Sequence, residues 1–309
     1  MTERPTRLID LDAGRVEYRL EERGPRTVLM LHGGHMRAGI ALGEAAFTGA
    51  GHTVLAVSRP GYGRTPLATG TTPDRFAGVL ADLCARLGIG SLAAVVGQSA
   101  GGPFALALAD RHPDLVERLV LESAVGLLPW PDRRSRLAAG AVFHPRTEAV
   151  TWSLVHALAR RAPGLVLRGL LSDLTTRRAA DVLGELDGPG RAALAGLFGR
   201  MRSGSGFAND VQVMSAPDGV GRRASQAARL RCPALVIASR DDGSVPYAHA
   251  RSLAGAIPDA RLVPCTAPSH LIWFGDAYRD AAAAVIEFLA VPRTGSAADP
   301  APPAEPTPS

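Results

Sequence analysis

The stretch Leu92-Ala-Ala-Val-Val-Gly-Gln-Ser-Ala-Gly-Gly102 joins an apolar run of strand length to a serine flanked by small residues. The segment that follows it, Pro103-Phe-Ala-Leu-Ala-Leu-Ala109, predicts a helix, because proline is tolerated in the first helical turn. A strand, a Gly-x-Ser-x-Gly pattern and a helix in this order are typical of a nucleophile elbow, which exposes a serine at the edge of a sheet. We therefore expect Ser99 to have a strained backbone and to be a nucleophile; the alternative is an ordinary helix N-cap.

A serine hydroxyl needs a base, and the base needs an orienting carboxylate, which enzymes with this elbow supply in the chain order serine, acid, histidine. Downstream, the apolar strand Cys232-Pro-Ala-Leu-Val-Ile-Ala-Ser239 is followed by Asp241 and Asp242. Open α/β sheets place their chemistry at the carboxyl ends of strands, so either aspartate is a candidate acid, and a simple turn residue is the alternative. His270 is the only histidine after the next predicted strand, over residues 260–265, and is the candidate base.

A second glycine-rich turn lies upstream of the elbow. The predicted strand Thr27-Val-Leu-Met-Leu31 leads into His32-Gly-Gly-His35, whose histidines we interpret as structural. These glycines leave a backbone N–H free to stabilise an oxyanion together with the N–H of Ala100. A further predicted strand, over residues 54–58, ends in Arg59-Pro-Gly-Tyr-Gly-Arg-Thr65.

Taken together, these segments resemble the α/β-hydrolase family. The elbow, the His-Gly-Gly turn, the Arg-Pro-Gly-Tyr-Gly-Arg-Thr segment, an Asp-x-x-Val-Pro turn and a late Pro-Ser-His-Leu occur in the family's order, over about residues 6–125 and 231–291. The resemblance implies a serine nucleophile, an acid, a base and two backbone oxyanion donors. These are, in that order, Ser99, Asp242, His270, and Gly34 with Ala100.

The resemblance also weighs the three candidate acids. It favours Asp242 over Asp241, because the family's acid usually stands three residues before the valine of Val-Pro, here Val245. Some hydrolases draw the acid from the strand that here ends in Glu122, which remains a third candidate. One departure concerns the residue before the nucleophile, which is often histidine in the family and is Gln98 in this chain. The flank of the elbow is therefore uncharged.

The alternation of strands and helices predicts an α/β fold with a doubly wound, mostly parallel sheet. An antiparallel hairpin over residues 8–20 opens it. We expect residues 1–125 and 231–291 to form an α/β-hydrolase core and residues 126–230 to form a helical lid insertion. Residues 292–309, which contain six prolines, predict a disordered tail.

In the family, such an insertion covers the active site and lines the pocket for the acyl or alcohol group. We predict helices over residues 147–159, 165–171, 176–186 and 190–201. Large side chains of the insertion are candidates for the pocket wall or, alternatively, for the lid's own core. They are Trp130, Phe143, Trp152, Phe198, Met201 and Phe207.

Composition excludes several chemistries. The chain has no lysine, since all 34 basic residues are arginine, so a P-loop, a pyridoxal Schiff base and a Ser–Lys dyad are excluded. Residues 126–230 carry a net charge of +7, which either steers an anionic substrate or forms a solvated helical face. The arginines accompany no nucleic-acid recognition motif, so we expect no nucleic-acid partner.

Cysteine usage and hydropathy indicate the compartment. Cys84, Cys232 and Cys265 are widely spaced, which predicts reduced, buried thiols and neither a disulfide framework nor a metal site. The first residues lack an apolar signal segment, and no 18-residue apolar run occurs. We therefore expect a cytoplasmic enzyme with no membrane association, in an oligomeric state that the sequence leaves open.

The combined interpretation is a cofactor-independent serine hydrolase. It cleaves a small-molecule carboxylic ester through an acyl-enzyme on Ser99. Alternatives with the same triad are a carbon–carbon bond hydrolase and hydrolases of lactones, thioesters or peptides. The non-enzyme alternative is a ligand receptor on the same fold, whose usual mark is a broken triad.

Overall fold

The computed structural model describes residues 3–131 and 148–291. Within them, eight strands form a single sheet. The strands are β1 (Arg7–Leu11), β2 (Gly14–Glu21), β3 (Thr27–Leu31), β4 (Thr53–Val57), β5 (Leu92–Gln98), β6 (Leu119–Glu122), β7 (Ala234–Ser239) and β8 (Ala260–Cys265). Two predictions, the pocket-wall residue Phe143 and the disordered tail over residues 292–309, lie outside the described residues.

The sheet is mostly parallel, which confirms the predicted fold class. Its strand order is β1-β2-β4-β3-β5-β6-β7-β8. The opening hairpin is antiparallel, with Leu11 opposite Gly14, and β2 also runs antiparallel to β4. From β4 to β8 every pair of neighbours is parallel, so the carboxyl ends of β3, β5, β6 and β7 meet at one edge of the sheet.

The inner strands are buried on both faces, as their continuous apolar sequences predict. Alternate side chains of β3 point into two apolar clusters on opposite faces of the sheet. Leu29 and Leu31 lie in the first apolar cluster, and Val28 and Met30 lie in the second. Helices cover each cluster, because the crossover connections between parallel strands place helices on both faces of the sheet.

Five helices belong to this core. They are α1 (Ala45–Gly49), α2 (Pro73–Arg86), α3 (Gly102–Arg111), α10 (Ala248–Ala256) and α11 (Ala277–Ala290). Helices α2, α3 and α10 contribute to the first apolar cluster, and α1 and α11 to the second. Helix α2 shows the usual N-terminal signals, since the Thr72 hydroxyl accepts from the Arg75 N–H and proline occupies the first turn.

Between β6 and β7 the described chain forms six further helices, here called the helical insertion (residues 148–229). They are α4 (Glu148–Arg161), α5 (Pro163–Ser172), α6 (Ala179–Glu185), α7 (Gly188–Phe198), α8 (Gly206–Ser215) and α9 (Pro217–Arg229). A third apolar cluster joins the insertion to the loop after β3, through Met36, Ile40 and Leu42, and to Leu271. The insertion therefore packs over the carboxyl edge of the sheet.

The amino-acid sequence predicted α4 to α7, whereas α8 and α9 were not predicted. Helix α8 has a buried apolar stripe at Phe207, Val211 and Met214, but both helices also bury polar side chains. Asp210 of α8 and Arg223 and Gln226 of α9 are all less than 5% exposed. Hydrophobic periodicity is the main signal for a helix, and in α9 this signal is weak because arginine and glutamine occupy two of its three buried positions.

The structure contains, in residues 3–131 and 148–291, no helix with the length and apolar character needed to cross a membrane.

Acid should destabilise this fold through histidines that are buried without charge. Burial, with a smaller effect of the Arg223 guanidinium, lowers the pKa of His249 to about 4. The unfolded chain, whose histidine pKa is about 6.5, therefore binds a proton between these two values that the folded chain does not bind. Stability is complete above about pH 6.5 and falls as the pH is lowered, by about 1.4 kcal/mol per pH unit for such a histidine.

The variant His249→Asn isolates this contribution. His249 Nδ1 accepts a hydrogen bond from the Gly126 N–H at 3.0 Å, and an asparagine Oδ1 can accept the same bond without titrating. We expect calorimetric stability between pH 7 and pH 5 to fall less steeply in this variant than in the wild type. An unchanged slope would show that His249 is not neutral in the folded state.

Candidate active site

The predicted elbow forms a sharp turn at the end of β5. Ser99 begins a short 3₁₀ turn that ends at Gly101 and leads into α3, and its φ is +49°. Non-glycine residues rarely adopt this left-handed conformation. The two glycines permit the close approach expected of them: a Cβ at Gly101 would lie 2.1 Å from the Leu31 carbonyl oxygen, and one at Gly97 would lie 2.7 Å from Gly102 Cα. The turn therefore holds Ser99 in a strained position above the sheet.

Asp242 and His270 form a buried pair beside this edge of the sheet. His270 Nδ1 lies 2.7 Å from Asp242 Oδ2. The other carboxylate oxygen, Oδ1, accepts the backbone N–H groups of Ser244 at 2.9 Å and Val245 at 2.7 Å. Asp242 is 2% exposed and His270 is 5% exposed. These bonds fix the carboxylate, which in turn fixes the plane of the imidazole.

This pairing has a chemical consequence for the imidazole. An ionised carboxylate can only accept, so Nδ1 must carry the proton that it donates to Asp242. In the neutral ring Nε2 then keeps its lone pair and can accept a proton. The arrangement suits a general base.

The other two candidate acids have different surroundings. The Asp241 backbone carbonyl accepts the Thr176 N–H at 2.9 Å, and its side chain does not occupy the position on His270 that Asp242 fills. Glu122 is fully buried, and its carboxylate accepts from Trp273 Nε1 at 2.7 Å and from Gln98 Nε2 at 3.0 Å. Burial raises the pKa of Glu122, although these donors partly oppose the shift.

Gln98 has a structural explanation in this network. Besides Glu122, its Nε2 donates to the Leu42 carbonyl at 2.9 Å. Its amide ties the elbow strand β5 to the loop after β3. An uncharged donor before Ser99 is thus used to satisfy a buried carboxylate.

Backbone hydrogen bonds place the elbow and the histidine loop next to each other. After β6, the Ser123 hydroxyl donates to the His270 carbonyl at 3.1 Å, and the Val125 N–H donates to the Ser99 carbonyl at 2.9 Å. One three-residue segment is therefore bonded to both loops.

The helical insertion is bonded to the same loops. The Leu174 carbonyl accepts the His270 N–H at 2.7 Å and the Gly243 N–H at 3.2 Å. The Thr175 hydroxyl donates to the Pro268 carbonyl at 2.6 Å. No sequence motif pointed to Leu174, because a backbone carbonyl can be supplied by any residue type.

The turn His32-Gly-Gly-His35 lies against the elbow. A Cβ at Gly33 would be 3.0 Å from Ser99 Cβ, so a larger residue would crowd the elbow. A Cβ at Gly34 would be 3.0 Å from the Phe207 ring, which places α8 over the turn. His35 has φ +62°, and its ring stacks at 4.1 Å on Phe207. Burial lowers the pKa of His35 to about 3, so this imidazole is neutral.

The candidate pocket-wall residues fall into two groups. Trp130 and Phe207 belong to the first apolar cluster, with ring centroids 6.2 Å apart, and Phe207 borders Gly34. Trp152, Phe198 and Met201 belong to the third cluster, within the helical insertion. The indole N–H groups of both tryptophans are hydrogen-bonded within the protein. Trp130 Nε1 donates to the Ser244 carbonyl at 2.8 Å, and Trp152 Nε1 donates to the Ser203 hydroxyl at 2.7 Å.

Comparison with known proteins assigns the family. A family model described as the alpha/beta hydrolase fold matches residues 26–275. The chain belongs to the α/β-hydrolase family. As a member of it, the protein is a hydrolase, which agrees with the resemblance seen in the sequence.

This α/β-hydrolase is similar in sequence to proteins with several activities. An uncharacterized hydrolase of Bacillus subtilis, YcgS, is 30% identical over 91% of this chain and 97% of its own length. A pimeloyl-[acyl-carrier protein] methyl ester esterase of Chromobacterium violaceum is 31% identical over 80% of this chain and 88% of its own. A 2-hydroxy-6-oxononadienedioate/2-hydroxy-6-oxononatrienedioate hydrolase of Burkholderia vietnamiensis is 30% identical over 80% and 82%, respectively.

Within the described part of this α/β-hydrolase, no group of three or more histidine, cysteine, aspartate or glutamate side chains is arranged to hold a metal ion.

Proposed function

We propose that this α/β-hydrolase is a serine hydrolase that cleaves a small-molecule carboxylic ester through an acyl-enzyme on Ser99. The observation that carries the proposal is the 2.7 Å hydrogen bond between His270 Nδ1 and Asp242 Oδ2, which leaves Nε2 as the basic nitrogen. The strained turn at Ser99 supports it, since strain at a non-glycine residue is a feature of functional sites.

The proposed reaction has two halves. Ser99 Oγ attacks the ester carbonyl while His270 Nε2 accepts its proton, and the same nitrogen then protonates the departing alcohol. Water attacks the resulting acyl-enzyme and gives a proton to His270 Nε2, which passes that proton to Ser99 Oγ as the carboxylic acid is released. Asp242 orients the imidazole and stabilises its cation during both halves.

The carbonyl oxygen becomes an oxyanion in each tetrahedral intermediate. We assign its stabilisation to the backbone N–H groups of Gly34 and Ala100. These groups lie on two turns that touch each other, since Gly33 is in contact with Ser99. Backbone donors held in place by the fold need no reorganisation when the charge develops.

The helical insertion is proposed to be the lid of this site. Its α8 places Phe207 over Gly34, and its third apolar cluster includes Leu271, the residue that follows His270. Such a cover excludes water and supplies the walls that select the substrate.

A second candidate function is hydrolysis of a carbon–carbon bond. The observation in its favour is that the dienedioate hydrolase of Burkholderia vietnamiensis is about as similar to this chain as the methyl ester esterase, at 30% and 31% identity. Ester hydrolysis and carbon–carbon bond hydrolysis use the same triad, so a measurement of turnover is needed to distinguish the two activities.

The deciding experiment is intact-mass analysis after treatment with a fluorophosphonate, with parallel assays of p-nitrophenyl acetate, butyrate and octanoate. We expect a single adduct that maps to Ser99, together with ester turnover whose chain-length profile measures the pocket. An adduct without ester turnover would favour carbon–carbon bond hydrolysis. A folded protein that gives no adduct would contradict the proposed mechanism.

A further inference from the structure

Arg59 is a fully buried cation beside residues 32–35, which are here called the oxyanion turn because they include the proposed donor Gly34. It directly follows Ser58, which itself follows β4, and it is 0% exposed. Its guanidinium carbon lies 4.8 Å from the ring centroids of both Tyr62 and Phe104, and Phe104 belongs to the helix that follows the elbow. A charge in such a place must be paired and fully hydrogen-bonded.

The guanidinium binds the carbonyl groups of the oxyanion turn. Arg59 Nε donates to the His32 carbonyl at 2.8 Å, and Nη2 donates to the Gly33 carbonyl at 3.2 Å. The Gly33 carbonyl also lies 2.7 Å from His32 Nδ1, while His32 Nε2 lies 3.1 Å from the Arg59 backbone N–H. A carbonyl only accepts and a backbone N–H only donates, so one neutral tautomer of His32, protonated on Nδ1, satisfies both contacts.

The direction of the Gly33 carbonyl determines the direction of the Gly34 N–H. Both groups belong to one planar trans peptide, in which the C=O and the N–H point to opposite sides. Two donors, Arg59 Nη2 and His32 Nδ1, hold the Gly33 oxygen on one side. The Gly34 N–H is therefore held on the other side, and it cannot rotate without breaking both bonds.

Arg59 is in turn held by the helical insertion. Its Nη1 and Nη2 each lie 2.8 Å from one carboxylate oxygen of Asp210, a fork geometry that fixes the guanidinium plane. The Tyr62 hydroxyl donates to Asp210 at 2.6 Å, and Gly206 of α8 packs on the Tyr62 ring, where a Cβ would come within 2.3 Å. Asp210 is 1% exposed.

We propose that Arg59 is a positioning residue for the oxyanion hole and that Asp210 makes this position depend on the docked helical insertion. The inference rests on the proposed function for its catalytic meaning, but the contacts stand without it. The opposing interpretation is a purely structural ion pair. These two interpretations differ in what happens when both charges are removed together, since a buried pair can be replaced by uncharged residues without loss of folding.

The test compares a double variant, Arg59→Met with Asp210→Asn, and the single variant Arg59→Lys. The double variant leaves no unpaired buried charge, and the asparagine Oδ1 still accepts from Tyr62. A lysine ammonium keeps the charge but cannot reach Asp210 and both carbonyls together. The matched control is Arg64→Lys, from the same loop, whose guanidinium pairs with Glu17 and is half exposed.

We expect the double variant and Arg59→Lys to have kcat for the preferred p-nitrophenyl ester lowered about 10- to 100-fold, with KM within about twofold of the wild type. Affinity for a trifluoromethyl ketone, which forms a tetrahedral adduct, should fall in the same proportion as kcat/KM. Arg64→Lys should behave as the wild type. A folded double variant with unchanged kcat and unchanged ketone affinity would overturn the proposal.

A crystal structure of the double variant provides a readout that does not need activity. We expect the Gly33–Gly34 peptide to be rotated or to occupy two orientations, and a single wild-type orientation would contradict the inference. If the wild type neither hydrolyses esters nor gives the fluorophosphonate adduct, the proposed function fails, and the peptide orientation still decides whether Arg59 holds this turn.

Discussion

Replacement of Ser99 by alanine should lower kcat/KM for p-nitrophenyl esters by about 10⁴- to 10⁶-fold and remove the fluorophosphonate adduct, because the proposed mechanism forms the acyl-enzyme on the Ser99 hydroxyl. Binding of the substrate should change little, since the hydroxyl contributes mainly to the transition state. Steady-state kinetics and intact-mass analysis measure both effects. A matched control is Ser225→Ala, which removes an exposed hydroxyl bonded to the Gly221 carbonyl in α9 and should leave both readouts unchanged.

A glycine at the same position separates catalysis from strain. Ser99→Gly should be as inactive as Ser99→Ala, but more stable than it by about 1 kcal/mol, because glycine adopts a φ of +49° without a steric cost. Equal stability of the two variants would argue that the turn stores no strain. Wild-type activity in both variants would show that Ser99 is not the nucleophile.

The second large effect is expected for Asp242→Asn, which should lower kcat by about 10⁴-fold. An asparagine can present its NH₂ group to His270 Nδ1, which selects the tautomer with the proton on Nε2 and removes the base. The position should still fold, because the amide oxygen can accept the Ser244 and Val245 N–H groups that now bond to the carboxylate. Burst kinetics should show that acylation is slowed.

The neighbouring aspartate provides the control for this variant. Asp241→Asn changes the same functional group one residue earlier, in the same turn, and it should retain activity within about threefold. Comparable losses in the two variants would mean that the turn as a whole, and not the pairing of Asp242 with His270, is needed. A loss confined to Asp241→Asn would overturn the assignment of the acid.

Much of the architecture follows from local sequence signals. The strands β3, β5 and β7 are continuous apolar runs, and each ends in a turn marked by glycine or aspartate, so their existence and parallel arrangement could be predicted. The elbow at Ser99 could be predicted as well, because glycines 97 and 101 are needed for the close approaches that the structure contains. These features depend on residues close together in the chain.

The contacts that the sequence did not predict join distant segments through ordinary residue types. The other buried side chains in the helix of Asp210 are apolar, and its partner Arg59 precedes it by 151 positions. From sequence alone, a charged residue in a helix is predicted to face solvent, and only the position of its partner shows that it is buried. The bonding of the helical insertion to the loops of Asp242 and His270 was not predicted either, because it also joins segments that are distant in the chain.

The carbonyl of Leu174 has a consequence for how this enzyme can change. Because a main-chain oxygen accepts from both the Gly243 and the His270 N–H groups, any amino acid except one that diverts the backbone would serve at this position. The constraint is on the route of the chain and not on its composition. The surrounding helices can therefore vary in sequence, whereas a transplanted or shortened insertion has to cross the same point in space to keep the loops of Gly243 and His270 in the same relative position.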